Sequence, residues 1–243
     1  MGKALTAFSP APAGKLALRP RVCLPKYLED TYWWAYLHPR AVRIFERQWL
    51  INLILWGNYA RLRDAALAEF AAPVRGRVLQ IACVYGDFTQ RLAQRLGPEG
   101  TLDVVDVVPV QLENLRRKLK NASRVSLHQQ DSAQLEFEDA SYDNVILFFL
   151  LHEQPQAVRR RTVREALRVL KPGGRMVIVD YHCPSRLNPL RYVMIPVLKY
   201  LEPFAMDLWR AEIAESLPAT PRPPCVHKHT SFGGLYQKVT ITT

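Results

Sequence analysis

Arg77-Val78-Leu79-Gln80-Ile81-Ala82-Cys83-Val84-Tyr85-Gly86-Asp87-Phe88 is the stretch on which the fold turns. Residues 78–82 form a short apolar run of strand length. Helical spacing takes over across 87–96. A strand, a tight turn and a helix in this order open a parallel α/β unit. The turn holds one glycine, Gly86. Ala82 adds one methyl to it. Val84 is β-branched and resists positive φ. The turn is therefore expected to be wider, or differently bent, than a glycine-rich one.

Working outward, the alternation continues. Gly97-Pro98-Glu99-Gly100 reads as a turn. Strands are expected at 101–106, 124–129, 143–151 and 175–181, with helices at 110–120 and 158–170. The run 143–151 is apolar without interruption, which calls for burial on both faces. The last helix has Val158, Thr162, Val163, Ala166, Leu167 and Leu170 as its inner stripe and arginines outside. Lys171-Pro172-Gly173-Gly174 reads as its end, since glycine supplies a positive-φ cap and proline cannot continue a helix. Residues 226–230 and 235–242 around Phe232-Gly233-Gly234 read as a hairpin. The predicted fold is α/β: a seven-stranded, mostly parallel sheet closed by an antiparallel hairpin, with a helical extension in front.

In such sheets ligands bind beyond the carboxyl ends of the strands, where strand order reverses. Asp106 ends the second strand and Asp131-Ser132 follow the third. A dinucleotide site would need G-x-G-x-x-G to bring a pyrophosphate onto a helix N-terminus. Ala82, Val84 and Tyr85 leave no such glycine pair. The ordered set instead resembles the class I S-adenosylmethionine (SAM) methyltransferases, over roughly 70–243. It comprises the strand at 78–82, Asp106, Asp131-Ser132-Ala133, the phrase Leu-Lys-Pro-Gly-Gly at 170–174 and Gly-Gly-Leu-Tyr at 233–236. That resemblance implies SAM as the bound molecule. It places Gln80, Ala82 and Gly86 around the donor's amino-acid end, Asp106 at the ribose and Asp131 and Ser132 at the adenine, with Val107 and Phe148 as further cofactor contacts and Tyr85 packing against SAM or substrate. The family's usual acid is replaced by Gln80, and its glycines by Ala82 and Val84. An acid beside an ammonium raises the amine's pKa, which a neutral glutamine does not. A free α-amino group titrates near pH ~8. A usable neutral, nucleophilic fraction of the donor's amine is then expected.

Val-Leu-Gln-Ile-Ala-Cys-Val-Tyr-Gly-Asp-Phe-Thr (78–89) and Tyr-Trp-Trp-Ala-Tyr-Leu-His-Pro (32–39) are similar to the RquA-type rhodoquinone-biosynthesis proteins, relatives of the ubiquinone/menaquinone C-methyltransferases. The resemblance implies exchange of a ubiquinone ring methoxy group for an amine. It also implies SAM as amino donor and a divalent metal, with manganese preferred. His152, Glu153, Tyr181 and His182 are the catalytic candidates on the substrate side. His152-Glu153 stand where the C-methyltransferases align an Arg-Asn pair. His152, Glu153 and His182 suit a manganese ion, which would polarise the quinone carbonyl as a Lewis acid. Either histidine could instead shuttle a proton. A conventional methyltransferase of lipophilic phenols or quinones, or a non-catalytic SAM-fold module, are the alternatives.

The chain has 243 residues, 49% of them hydrophobic, and a net charge of +11. Four separated cysteines argue against a disulfide framework. Residues 1–22 are basic, free of acid and rich in Ala and Pro. A disordered tail is expected there, with a transit peptide or a myristoylated start (Met1-Gly2) as alternatives. Residues 23–72 read as the helical extension and 73–243 as the SAM-binding domain. The extension alternates an apolar stripe with Arg40, Arg43, Arg47, Arg61 and Arg63. That suits a helix lying in an anionic membrane surface, a cap on the main domain, or both. His38 could lie on a lid. Residues 189–217, apolar but broken by Pro196 and Pro203, read as a pocket wall or as core. The basic residues show no target-base motif, so nucleic acid is not an expected partner. A peripheral place on a bacterial inner membrane is expected, with a mitochondrial one as alternative.

Overall fold

The computed structural model describes residues 23–34, 38–119, 122–219 and 223–243. The expected tail at 1–22, and Tyr36 and Leu37 of the aromatic stripe, lie outside the described residues. The extension supplies α1 (Lys26–Tyr32), α2 (Pro39–Phe45), α3 (Gln48–Ile54) and α4 (Tyr59–Leu67). Then follow β1 (Arg77–Ile81), α5 (Phe88–Gln94), β2 (Thr101–Asp106), α6 (Pro109–Lys118), β3 (Val125–Gln129), β4 (Tyr142–Phe148), α7 (Gln156–Val169), β5 (Leu170–Tyr181), α8 (Leu190–Leu201), α9 (Ala205–Arg210), β6 (Cys225–Ser231) and β7 (Tyr236–Thr242). The sheet order is β3-β2-β1-β4-β5-β7-β6. β1 to β5 run parallel, and β7 is antiparallel to both neighbours.

Strand alternation sorts the core into two faces. On one face Val78, Val104, Ile146, Phe148 and Val177 pack with α5, α8 and the extension's Leu55, Tyr59 and Leu62. On the other, Leu79, Ile81, Val145, Leu147 and Ile178 pack against Val163, Ala166 and Val169 of α7. The extension therefore shares the main core. β4 is buried nearly throughout, as its continuous apolar run requires. One boundary differs from the expectation. Lys171-Pro172-Gly173-Gly174 belongs to β5 rather than to a turn, because Leu170 already pairs with Tyr142 and the register shifts before Asn144. Gly173, at φ 76°, absorbs that irregularity.

Candidate active site

The strand order reverses between β1 and β4, and a cleft of about 640 Å³ opens there beyond the strand ends. Ala82, Asp106, Val107, Asp131 and Ser132 line it, as the sequence places them. Asp106 is held by the chain itself: Oδ2 accepts from the Cys83 amide (2.7 Å) and Oδ1 from the Val108 amide (2.8 Å). Burial pushes its carboxyl up to about 6, against the pull of those two amides. Each oxygen keeps a second lone pair for a diol. Asp131 Oδ1 accepts from the Ala133 amide, and Ser132 accepts from Gln154 Nε2. Gln154 Oε1 is buried and has no hydrogen-bond partner among the described residues. It lines the same cleft, so an N–H donor on a ligand would satisfy it.

A second, apolar pocket of about 780 Å³ adjoins the first, and the two share Cys83, Phe149 and Glu153. Val84 and Tyr85 face this second pocket, so the altered turn forms the partition between the two. The Tyr85 ring stacks on Phe45 (5.9 Å between centroids), and its hydroxyl accepts from Gln111 Nε2 (2.8 Å). Phe148 lines the apolar pocket and packs on Phe88, whereas Phe149 and Tyr27 are the aromatics that line the first cleft.

The turn bends at Ala82, which takes φ 75°, and Val84 avoids positive φ as its β-branch requires. Left-handed backbone costs a residue with a Cβ about 1–2 kcal/mol, and glycine returns about 0.5–1 kcal/mol of that through unfolded-chain entropy. Ala82→Gly is therefore expected to raise the melting temperature by about 1–4 °C. A lower Tm in differential scanning calorimetry would contradict this account of the turn.

Gly86 does not line the cleft. It sits at φ 84° under α4, where a Cβ would collide with the Tyr59 hydroxyl. Its amide donates to Glu46 Oε1 (3.0 Å) and its carbonyl accepts from Lys118 Nζ (2.5 Å). Glu46 also pairs with Lys118 (2.6 Å) and accepts from Asn114 (2.7 Å), which ties the end of α2 to the turn and to α6. Gln80 is fully buried and lines neither pocket. Its Nε2 donates to the Ala82 carbonyl (2.9 Å), so it supports the turn from behind.

At the inner end of the apolar pocket stand His152, Glu153 and Tyr181. His152 Nδ1 donates to Asp180 Oδ1 at 2.8 Å. The fully buried Asp180 also accepts from the amides of Leu151 (2.8 Å), His152 (3.3 Å) and Tyr181 (2.7 Å). Burial alone would lower the imidazole's pKa; the Asp180 carboxylate outweighs it and holds His152 up at about 9. His152 Nε2 lies 3.8 Å from Glu153 Oε1. Glu202 lines the same pocket, its carboxyl raised by burial against the pull of His152.

His182 is not brought into this group. Its Nδ1 donates to the Gly234 carbonyl (2.8 Å), its Nε2 accepts from Lys228 (3.0 Å), and it lines neither pocket. The expected set His152, Glu153 and His182 is thus divided. Among the described residues no group of three or more His, Cys, Asp or Glu side chains is set to hold a metal ion. These residues do not fit the metal implied by the resemblance. His38 caps α2 by accepting from the Arg40 amide (3.2 Å), and His227 and His229 stand exposed on β6. Asp180 stood beside the candidates at the end of the fifth strand, but its pairing with His152 was not foreseen, and sequence reasoning missed Tyr27, Leu28, Phe149 and Gln154 in the cleft and Glu202 in the pocket.

This sheet, with a cleft over the ends of β1 and β2, defines the class I methyltransferase fold. Residues 78–174 match a family model described as a methyltransferase domain. The ubiquinone/menaquinone biosynthesis C-methyltransferase UbiE of Pseudomonas paraeruginosa is 33% identical over 140 residues, covering 56% of this chain and 54% of that protein. The chain thus spans about half the length of the curated relatives it matches. An O-methyltransferase family protein from Burkholderia thailandensis superposes with a TM-score of 0.59 at 17% identity, covering 84% of this chain and 59% of that one. A SAM-dependent methyltransferase from Aquifex aeolicus gives 0.55 at 16% identity, covering 85% and 98%. Over those 140 residues the chain is similar to the UbiE-type quinone C-methyltransferases.

Proposed function

We propose that this protein uses SAM in the cofactor cleft to modify a lipophilic benzoquinone of the ubiquinone type in the apolar pocket, exchanging a ring methoxy group for an amine. The observation that carries the proposal is His152. Held near 9 by Asp180, it is a cation and a hydrogen-bond donor at neutral pH. A donor on the carbonyl oxygen draws electrons from the quinone ring. That favours attack by a nucleophilic nitrogen and works against attack of the ring on an electrophilic methyl group. In the exchange a nitrogen–carbon bond forms at the methoxy-bearing carbon. The carbon–oxygen bond then breaks, and methoxide leaves as methanol with the proton shed by the nitrogen, which stays bonded to the donor's Cα so that this exchange ends on a secondary amine. The ring keeps its oxidation state. Glu153 lies 3.8 Å from His152 and lines both pockets, so it is placed to relay that proton. Gln80 brings a neutral amide, not a carboxylate, to the back of the turn.

The pH dependence of the rate separates this reading from conventional methyl transfer. Amination needs a neutral donor amine, which ionises near pH ~8, and a protonated His152, lost above about 9. The rate is expected to trace a narrow bell between those limits. A methyltransferase using His152 as its base would instead gain rate as pH rises through about 9. Mass spectrometry of a soluble ubiquinone incubated with the protein and SAM is the decisive readout. Nitrogen gained with methoxy lost supports the proposal; a methyl gained with S-adenosylhomocysteine formed overturns it.

A further inference from the structure

The apolar pocket opens beside an unusually apolar part of the surface. On α3 and just after it, Trp49, Leu53 and Trp56 recur at helical spacing and stand 61%, 66% and 41% exposed. On α8, Val193, Val197 and Tyr200 do the same, with Tyr200 78% exposed. The two segments touch: Trp56 Nε1 donates to Met194 Sδ at 3.4 Å. Met194 and Leu198 turn inward from the opposite side of α8. Ile54 belongs to both features, since it is 43% exposed and lines the apolar pocket. Glu202, directly after α8, lines that pocket too. The exposed apolar face and the pocket therefore meet at Ile54. Soluble proteins rarely leave such a contiguous patch without a partner.

Charge selects the partner. The segments 47–63 and 182–201 contain no Asp or Glu, whereas Arg47, Arg61, Arg186 and Lys199 stand exposed in them. Arg40 and Arg43 on α2 add to the same end of the chain. Aromatic and aliphatic side chains ringed by arginine and lysine match the boundary of a bilayer, where rings sit among the headgroups and long basic side chains reach anionic phosphates. No helix among the described residues is long and apolar enough to cross a membrane. The contact is thus one of lying on the surface.

We propose that the outward faces of α3 and α8 form a docking surface for an anionic phospholipid bilayer, which holds the mouth of the apolar pocket against the lipid. A substrate dissolved in the membrane then enters the pocket without crossing water. This goes beyond the reaction proposed above and holds for any lipophilic substrate of that pocket.

The test uses the full chain and phosphatidylcholine vesicles with or without phosphatidylglycerol. At low salt the protein is expected to float with the anionic vesicles, to float far less with the neutral ones, and to be released as salt rises. Brominated lipids are expected to quench the tryptophan emission. The double variant L53E/Y200E is expected to bind anionic vesicles at least about tenfold more weakly. Its turnover of a short-chain, water-soluble quinone is expected to stay unchanged, because neither side chain lines the site. That assay reads the chemistry separately, so failure to float overturns the docking surface alone. Equal flotation of the wild type and L53E/Y200E, or flotation without quenching, would also overturn it. So would a wild-type dimer in sedimentation that L53E/Y200E dissociates, since a second copy would then cover the face.

Discussion

Asp180→Asn is expected to lower turnover about 10²–10⁴-fold, the range that a positioned proton donor contributes. The carboxylate does three things at once. It accepts from His152 Nδ1 and so leaves Nε2 as the atom presented to the pocket. It overcomes burial and keeps the imidazole charged up to about 9. It also gathers the amides of Leu151, His152 and Tyr181, which sets the loop that carries Glu153. An amide in its place keeps the shape and loses the charge. The high-pH limb of the rate should then move from about 9 to or below the ordinary imidazole value near ~6.5. A purely structural role would lower the rate at every pH and leave the limb in place. Stability follows the same linkage. A histidine raised in the folded state stabilises it fully below its unfolded pKa, and that contribution disappears as pH rises through about 9. The wild-type protein is thus expected to melt earlier above that pH, and Asp180→Asn to lack this dependence.

Asp106→Ala is expected to weaken SAM binding about 10–100-fold, since hydrogen bonds to a charged group contribute about 1.5–3 kcal/mol. The carboxylate stands at the end of β2 with each oxygen fixed by a backbone amide, so it meets a ribose diol without reorganising. Titration calorimetry checks the loss. The unaltered protein offers a second check free of folding artefacts. With the carboxyl pushed up to about 6, a proton competes for the lone pairs the diol needs, and affinity should fall as pH drops through that value. Affinity unchanged by the substitution and flat across pH 5 to 7 would remove Asp106 from the cofactor site.

The strands and their carboxyl-end acids were legible because their signals are local. An apolar run at strand length, closed by a turn and followed by helical spacing, reports itself within a dozen residues. Asp106, Val107, Asp131 and Ser132 came with the strands that end beside them. The turn was half legible. Its shortage of glycine was plain, but that the positive φ falls on Ala82 was not. Gly86 makes room for Tyr59, a neighbour supplied from 27 positions earlier in the chain, which no local signal announces.

Period and composition were enough to define a parallel sheet, its closing hairpin and the edge where a nucleotide-like ligand sits, because each depends on residues close in sequence. Packing alone decided which charged groups meet. His152 joined Asp180 rather than His182 because β4 and β5 run side by side and end together, while the β6–β7 hairpin draws His182 to Gly234 and Lys228. Glu202 and the extension's Tyr27 and Leu28 reached the two pockets through the same long-range closure of the core. A side chain's electrostatic surroundings are set by whichever elements the buried apolar surface brings together, and neighbours along the chain carry little record of that.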